Sequence, residues 1–252
     1  MPRATLVDYI GEQYGGDRMV LAAAGNLDSD DLLSRAETAF AGLSLAAAPP
    51  PVAGRYQGGD LRDERDLEQA HLVMGFDGVG FTDDDYYPLA VLSTALGGGM
   101  SSRLFQEVRE ERGLAYSIYS FLSCYEDGGI FGIYAGTGEE HLGDLIPLLA
   151  DEAGKVIDTL NEEETERARA QLKASILMAR ESTSARTEQM ARHLMLFGRP
   201  LDPEEIVAKI EAVDGNAVRQ VAARIFRGRP SVAAIGPVKG LESPDSLAAR
   251  FN

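Results

Sequence analysis

The sequence predicts an α+β fold, and three features of the chain point to it. Short apolar segments of strand character cluster in the middle of the chain, long runs of helical periodicity follow them, and one helix–strand unit occurs twice. Leu6, Val7, Ile10 and Tyr14 share a helical face, and residues 19–25 (MVLAAAG) read as a buried strand closed by glycine. Asp28 caps a helix whose apolar residues include Leu32, Leu33, Ala36 and Phe40. Residues 44–54 contain three successive prolines, which favour an extended connector and mark the clear domain boundary.

Beyond that connector, residues 56–66 and 71–76 read as strands. The next helix is expected to start at Asp84 or Asp85, because a start at Thr82 would put Pro88 in its interior. It runs through Leu89, Leu92 and Leu96 to three glycines. Strand patterns at 115–121 and 129–135 flank an EDGG turn, and Leu142, Leu145, Leu149, Val156 and Leu160 then line one face of a helix. Asn161 and Glu164 form a capping-box start for a very long helix ending near Phe197, with a bend expected at Ser182 and Met178, Met190 and Met195 expected in the core. Asp202, Pro203, Glu204 and Glu205 open another helix, and a last helix at 217–226 leads to the strand SVAAIG. The tail from Glu242 is expected to fray.

The repeat aligns residues 6–27 with 217–238 at a constant offset. Val7 meets Val218, Ile10 meets Val221, Tyr14 meets Ile225, and LAAAG meets VAAIG. The chain therefore reads as the closing helix and strand of one unit followed by a second unit that ends the same way.

Composition excludes several function classes. A formal charge of −16 argues against nucleic acid, which needs a basic footprint. No apolar run reaches the ~20 residues of a membrane helix, and no secretory leader is visible at the start. The one cysteine, Cys124, leaves no internal disulfide and no cysteine metal cluster, and reads as an inert small residue. These features favour a bacterial cytoplasmic protein.

The densest stretch is LGGGMSSRLFQEVREERGLAYSIYSF, residues 96–121. A glycine loop (Gly97, Gly98, Gly99), a short helix carrying Arg103, Glu107 and Arg109, and a strand bearing Tyr116 and Tyr119 bring polar groups together as binding surfaces do. A purely structural reading makes Gly97 a helix cap, the arginines solvated and the tyrosines core residues. GGGMSS lacks the lysine and spacing of a phosphate loop, Ser101 and Ser102 read as helix caps, and no G-x-S-x-G elbow occurs.

This segment resembles the signature of the second homologous half of pitrilysin-type zinc peptidases, the family of insulin-degrading enzyme and mitochondrial processing peptidase. Residues 66–78, 83–99 and 171–201 are similar to that half as well. The resemblance implies a mainly antiparallel sheet with helices packed on one face, preceded by the tail of a first homologous domain. Residues 1–43 would be that tail, 44–54 the linker and 55–252 the second domain. It also implies roles: Tyr116 as a transition-state donor acting in trans, and Arg109 with Gly97, Gly98 and Gly99 binding the peptide substrate. Tyr119 and Arg103 are expected to serve packing and solvation instead.

In that family the zinc ligands come from an H-x-x-E-H motif and a further glutamate in the first half. The three histidines here, His71, His141 and His193, have no partner at that spacing and read as ordinary core or surface residues. No metal ligand is therefore assigned to this chain, zinc is expected in a missing half or partner subunit, and the chain alone is expected to be inactive. The alternative is a non-catalytic structural or partner-binding subunit of the same fold, and a homodimer pairing the open strand at 19–25 is a further possibility.

Overall fold

A computed structural model describes residues 1–43 and 52–251 of the chain. The connector expected at 44–54 therefore lies outside the described residues except for 52–54. The chain gathers into two compact units: Met1–Ala53 with Leu177–Leu201, and Gly54–Ile176 with Asp202–Asn252.

The larger unit is built on one five-stranded sheet of β1 (Gly59–Glu64), β2 (Ala70–Asp77), β3 (Ser117–Cys124), β4 (Gly129–Thr137) and β5 (Ser231–Gly236), in the order β1-β5-β2-β4-β3. β1 and β5 run parallel and every other neighbouring pair is antiparallel, so the fold is α+β with a mainly antiparallel sheet. β3 and β4 form a hairpin whose turn is closed by the Tyr125 N–H donating to the Gly128 carbonyl at 2.7 Å. The hairpin register sets Tyr119 opposite Tyr134.

Side chains alternate across the sheet as the period of two requires. Leu72, Met74 and Phe76 of β2, Phe131 and Ile133 of β4, and Val232 of β5 are buried on one face. There α8 (Gly215–Phe226) packs on them, with Phe226 against Phe76 and Phe131; α3 (Tyr86–Gly97) packs on β3 and α8, and α4 (Leu142–Thr159) packs on α8. Each such fully buried side chain contributes about 1.5–3 kcal/mol. The opposite face carries Leu61, Val73, Tyr134, Tyr119 and Phe121, none of them buried.

The start of α3 follows the expected logic: Asp85 is its N-cap position and Pro88 falls in the first turn. α8 begins at Gly215, capped by the Asp214 carboxylate accepting from the Ala217 N–H at 2.8 Å. Its Val218, Val221, Ala222 and Ile225 are buried, so the repeated face is a core face in this copy.

The tail does not fray as expected. Ser243 caps α9 (Pro244–Ala249), Leu247 is 1% exposed, and the Phe251 ring packs on Phe76 at 5.1 Å between centroids. The apolar residues 247, 248 and 251 supply the burial that holds it. The single long helix expected from Asn161 to Phe197 is instead two, α5 (Glu162–Ala179) and α6 (Thr183–Phe197). The Ser182 side chain accepts from the Ala185 N–H, so this serine starts a new helix rather than bending an old one.

The smaller unit holds α1 (Arg3–Gln13), α2 (Ser29–Phe40), α6 and the end of α5. Asp28 caps α2 as expected, accepting from the N–H groups of Asp30 and Asp31. Residues 19–25 do not form the expected strand; Met19 is extended, at φ −106° and ψ 134°, but no described residue pairs with this segment. A strand needs a neighbour to satisfy its backbone, and among the described residues this one has none. α1, α2 and α6 contain no buried residue. Met178, Met190 and Met195 are likewise exposed rather than core, at 63%, 36% and 62%.

Candidate functional site

The glycine loop, the charged helix and β3 form one continuous turn at the end of the sheet where β3 begins. The α3 helix ends at Gly97, and the Gly98 N–H donates to the Thr94 carbonyl at 3.1 Å. Gly97 is a point of close approach between α3 and β3. A Cβ there would lie 2.8 Å from Ser120 Oγ and press on the Ser120 backbone. Gly99 faces the Gln171 amide, and Gln171 Nε2 donates to the Gly98 carbonyl at 2.7 Å. A Cβ at any of the three would meet the chain's own atoms, the Thr94 backbone at Gly98, although Gly98 is the exposed member of the three.

Ser102 is no helix cap: its buried hydroxyl donates to the Gly99 carbonyl at 2.6 Å and tightens the loop. The charged helix is a π-helix, Phe105–Glu111, a wide and rare geometry frequent at functional sites. Leu104 and Val108 anchor it in the core. Arg109 stands on its outer side, with the guanidinium 4.8 Å above the Phe105 ring and 3.9 Å from the Glu110 carboxylate. Roughly half of the Arg109 side chain (45%) stays exposed.

The turn from π-helix to strand is closed by the Leu114 N–H donating to the Val108 carbonyl at 2.8 Å, with Gly113 in the left-handed region at φ +62°. Buried Thr137 Oγ1 donates to the Leu114 carbonyl at 2.5 Å. Tyr116 then joins the sheet through its N–H to the Gly136 carbonyl at 2.9 Å, while the residue stays 61% exposed. Arg109 and Tyr116 thus flank one braced turn, without a direct contact among the described residues.

Arg103 differs from expectation. It is held rather than solvated: Nε and Nη2 donate to the two Glu164 carboxylate oxygens at 2.7 and 2.8 Å, and Nη1 donates to Thr159 Oγ1 at 2.9 Å. The hydrogen bonds from Arg103 outweigh burial and hold the Glu164 carboxyl below its ordinary value of 4.5. Tyr119 stacks on Tyr134 at 4.9 Å between centroids, and the Tyr134 hydroxyl lies 2.8 Å from His71 Nδ1, giving an aromatic group on the open face of the sheet. Sequence reading missed both arrangements. The hairpin register could have shown Tyr119 opposite Tyr134, whereas nothing local in sequence links Arg103 to Glu164.

The residues present do not fit a zinc ion. Among the described residues no group of three or more histidines, cysteines or acids is disposed to hold a metal. His71 is engaged by Tyr134, His141 Nε2 lies 3.6 Å from Glu140, and His193 Nδ1 accepts the Leu201 N–H at 3.1 Å. Burial pushes the Cys124 thiol up to about 11, so thiolate is scarce at neutral pH.

Two cavities lie elsewhere. One of about 720 Å³ at the opposite end of the sheet is lined by Arg55, Asp77, Asp83 and Asp127 among others; the second, about 510 Å³, sits on the open face against Leu61, Val73 and Phe121. Neither is lined by Arg109 or Tyr116. Among the described residues no helix is long and apolar enough to cross a membrane.

Residues 1–172 match the family model described as the Peptidase M16 inactive domain. The chain is 37% identical to an uncharacterized zinc protease of Streptomyces coelicolor over 96% of its length, and that match spans 54% of the relative. It is 36% identical to one of Rickettsia felis, covering 92% of this chain and 56% of the relative. A Bacillus subtilis zinc protease, also uncharacterized, is 33% identical over 95% of this chain and 59% of its own length. The chain thus spans little more than half the length of these bacterial relatives. In fold it is similar to a chain of complex III2 from Candida albicans solved with Inz-5 bound, with a TM-score of 0.79, 22% identity, and coverage of 90% of this chain and 57% of that one.

Proposed function

The chain belongs to the M16 peptidase family, and from that premise we propose that it is the substrate-binding, transition-state-supporting half of a zinc metalloendopeptidase, working with a half that carries the zinc. The observation that carries this reading is Tyr116, a phenol on a backbone fixed to Gly136 but with its side chain open to solvent. Attack of water on a peptide carbonyl builds charge on the oxygen, and a neutral donor aimed there is worth about 3–4 kcal/mol. Arg109, flanking the same turn, has a planar fork suited to a backbone carbonyl of the peptide, and the exposed Gly98 admits that backbone closely. The metal would supply the activated water, and no residue of this chain is assigned to hold it.

The zinc-bearing half would also complete the smaller unit. In this reading residues 1–43 belong to a first copy of the fold and 55–252 to a second, joined through 44–54. The repeat supports it: Val218, Val221 and Ile225 of α8 are buried, whereas the matching Val7 and Ile10 of α1 and Tyr14 at its C-cap are 49%, 51% and 56% exposed. The unpaired segment 19–25 would add to a sheet in the other half, as β5 adds to β2 here.

The test is reconstitution. The portion of the Streptomyces coelicolor relative that this chain does not match, purified with zinc, is mixed with the chain and assayed on a fluorogenic peptide. Chelator-sensitive cleavage that neither part gives alone is the expected result. A complex that forms and stays inactive would leave the partner-binding, non-catalytic role instead.

A further inference from the structure

We propose that Arg103 is a positioning residue, whose clamp on Glu164 and Thr159 sets the direction in which Arg109 projects; the catalytic meaning of that direction rests on the function proposed above. A π-helix has poorer geometry than an α-helix and persists only where its surroundings fix both ends. Here the far end is fixed by the Leu114 N–H on the Val108 carbonyl, and the middle by Leu104 and Val108 in the core. The near end is fixed by Arg103 through three hydrogen bonds of 2.7–2.9 Å to α4 and α5, with Glu107 of the first turn attracted at longer range to Lys155 of α4. Both partners are largely shielded, with side chains 15% and 17% exposed, so water competes poorly for them.

Glu164 is itself immobilised. Its carboxylate accepts from the Asn161 N–H at 3.1 Å while its own N–H donates to Asn161 Oδ1 at 2.9 Å, the reciprocal box that closes the start of α5. One carboxylate therefore ties the helix start to the guanidinium. Gln171, farther along α5, holds the Gly98 carbonyl, so the same helix braces the loop before the π-helix. Released from its clamp, the segment can rewind toward α geometry, where each residue of register turns a side chain by about 100° around the axis. Arg109 lies beyond the clamp and would swing with it, whereas Tyr116 is held separately by the sheet.

The experiment uses the full chain with arginine side chains ¹⁵N-labelled, and the Arg109 Nε–Hε resonance is identified by its loss in Arg109→Lys. Arg103→Lys keeps the charge but loses the fork, Glu164→Gln keeps the shape but loses the charge, and Lys173→Met breaks an ion pair of α5 with Glu211 away from the clamp. The Arg109 resonance is expected to move or broaden in both clamp variants and to stay in place in Lys173→Met. In the reconstituted mixture, Arg103→Lys is expected to lower kcat about tenfold or more with KM changed less than about threefold, because a misplaced group costs turnover first. An unmoved Arg109 resonance in folded Glu164→Gln overturns the clamp, even where Arg103→Lys does not fold. An equal shift in Lys173→Met also overturns it, since the effect would then be general loosening. A wild-type mixture without activity overturns the functional reading and leaves the resonance to decide the positional one.

Discussion

Tyr116 is tied to Gly136 through its backbone and to nothing described through its hydroxyl: the N–H···O bond is 2.9 Å long and the residue is 61% exposed. A side chain that stabilised the fold would show the opposite pattern. Exposed phenols contribute little to folding, so the role proposed for this one can be tested apart from stability.

Gly97 is expected to tolerate no side chain. Gly97→Ala puts a Cβ 2.8 Å from Ser120 Oγ and against the Ser120 backbone, where nothing flexible can yield. A loss of about 1–3 kcal/mol by denaturant titration is the expected result. Gly128→Ala, with nothing within 4 Å, is the matched control and should change stability by less than about 0.5 kcal/mol.

The Arg103–Glu164 pair predicts an acid-sensitive component of stability. The Glu164 pKa is depressed in the folded chain below its ordinary 4.5, first by the hydrogen bond from Arg103. Its contribution is therefore complete above pH 4.5 and is lost as pH falls through the folded value. Denaturant titrations from pH 7 to pH 3 should show wild type above Glu164→Gln at neutral pH, with the gap closing below about pH 4.5. A constant gap would assign the difference to packing.

The C-terminal helix is expected to belong to the core. Leu247 is 1% exposed, so Leu247→Ala should cost about 2–4 kcal/mol and lower the midpoint of a single cooperative transition. A change under about 0.5 kcal/mol would place α9 outside the cooperative unit.

The α1 face should govern association with the other half. Ile10→Glu is expected to weaken complex formation by about tenfold or more in analytical ultracentrifugation, with the melting of the larger unit unchanged, because Ile10 is 51% exposed and makes no core contact here. Unaltered assembly would show that another surface joins the halves.

Much of the larger unit was legible because its signals are local. The proline at 88 and the acidic run before it place the start of α3, and the alternation on either side of the EDGG turn gives the β3–β4 hairpin. The errors arose where the outcome depended on partners remote in sequence. Residues 19–25 have the composition of a strand but no described neighbour, so they stay unpaired. Ser182 is expected only to bend a long helix, and the hydrogen bond from the Ala185 N–H makes it a cap. The methionines of α5 and α6 have helical spacing, but exposure depends on what packs against them. At the site, Arg109 and Tyr116 stood out through the signature stretch, while Arg103 did not, because its partner Glu164 lies 61 residues away.

The most direct test is turnover by the reconstituted mixture with Tyr116→Phe in place of wild type, alongside its melting temperature. The account predicts a fall in kcat of about 10²–10³ with an unchanged melting temperature, the signature of a lost transition-state donor. Wild-type turnover from the Tyr116→Phe mixture would contradict it, and would return this chain to the role of a binding subunit.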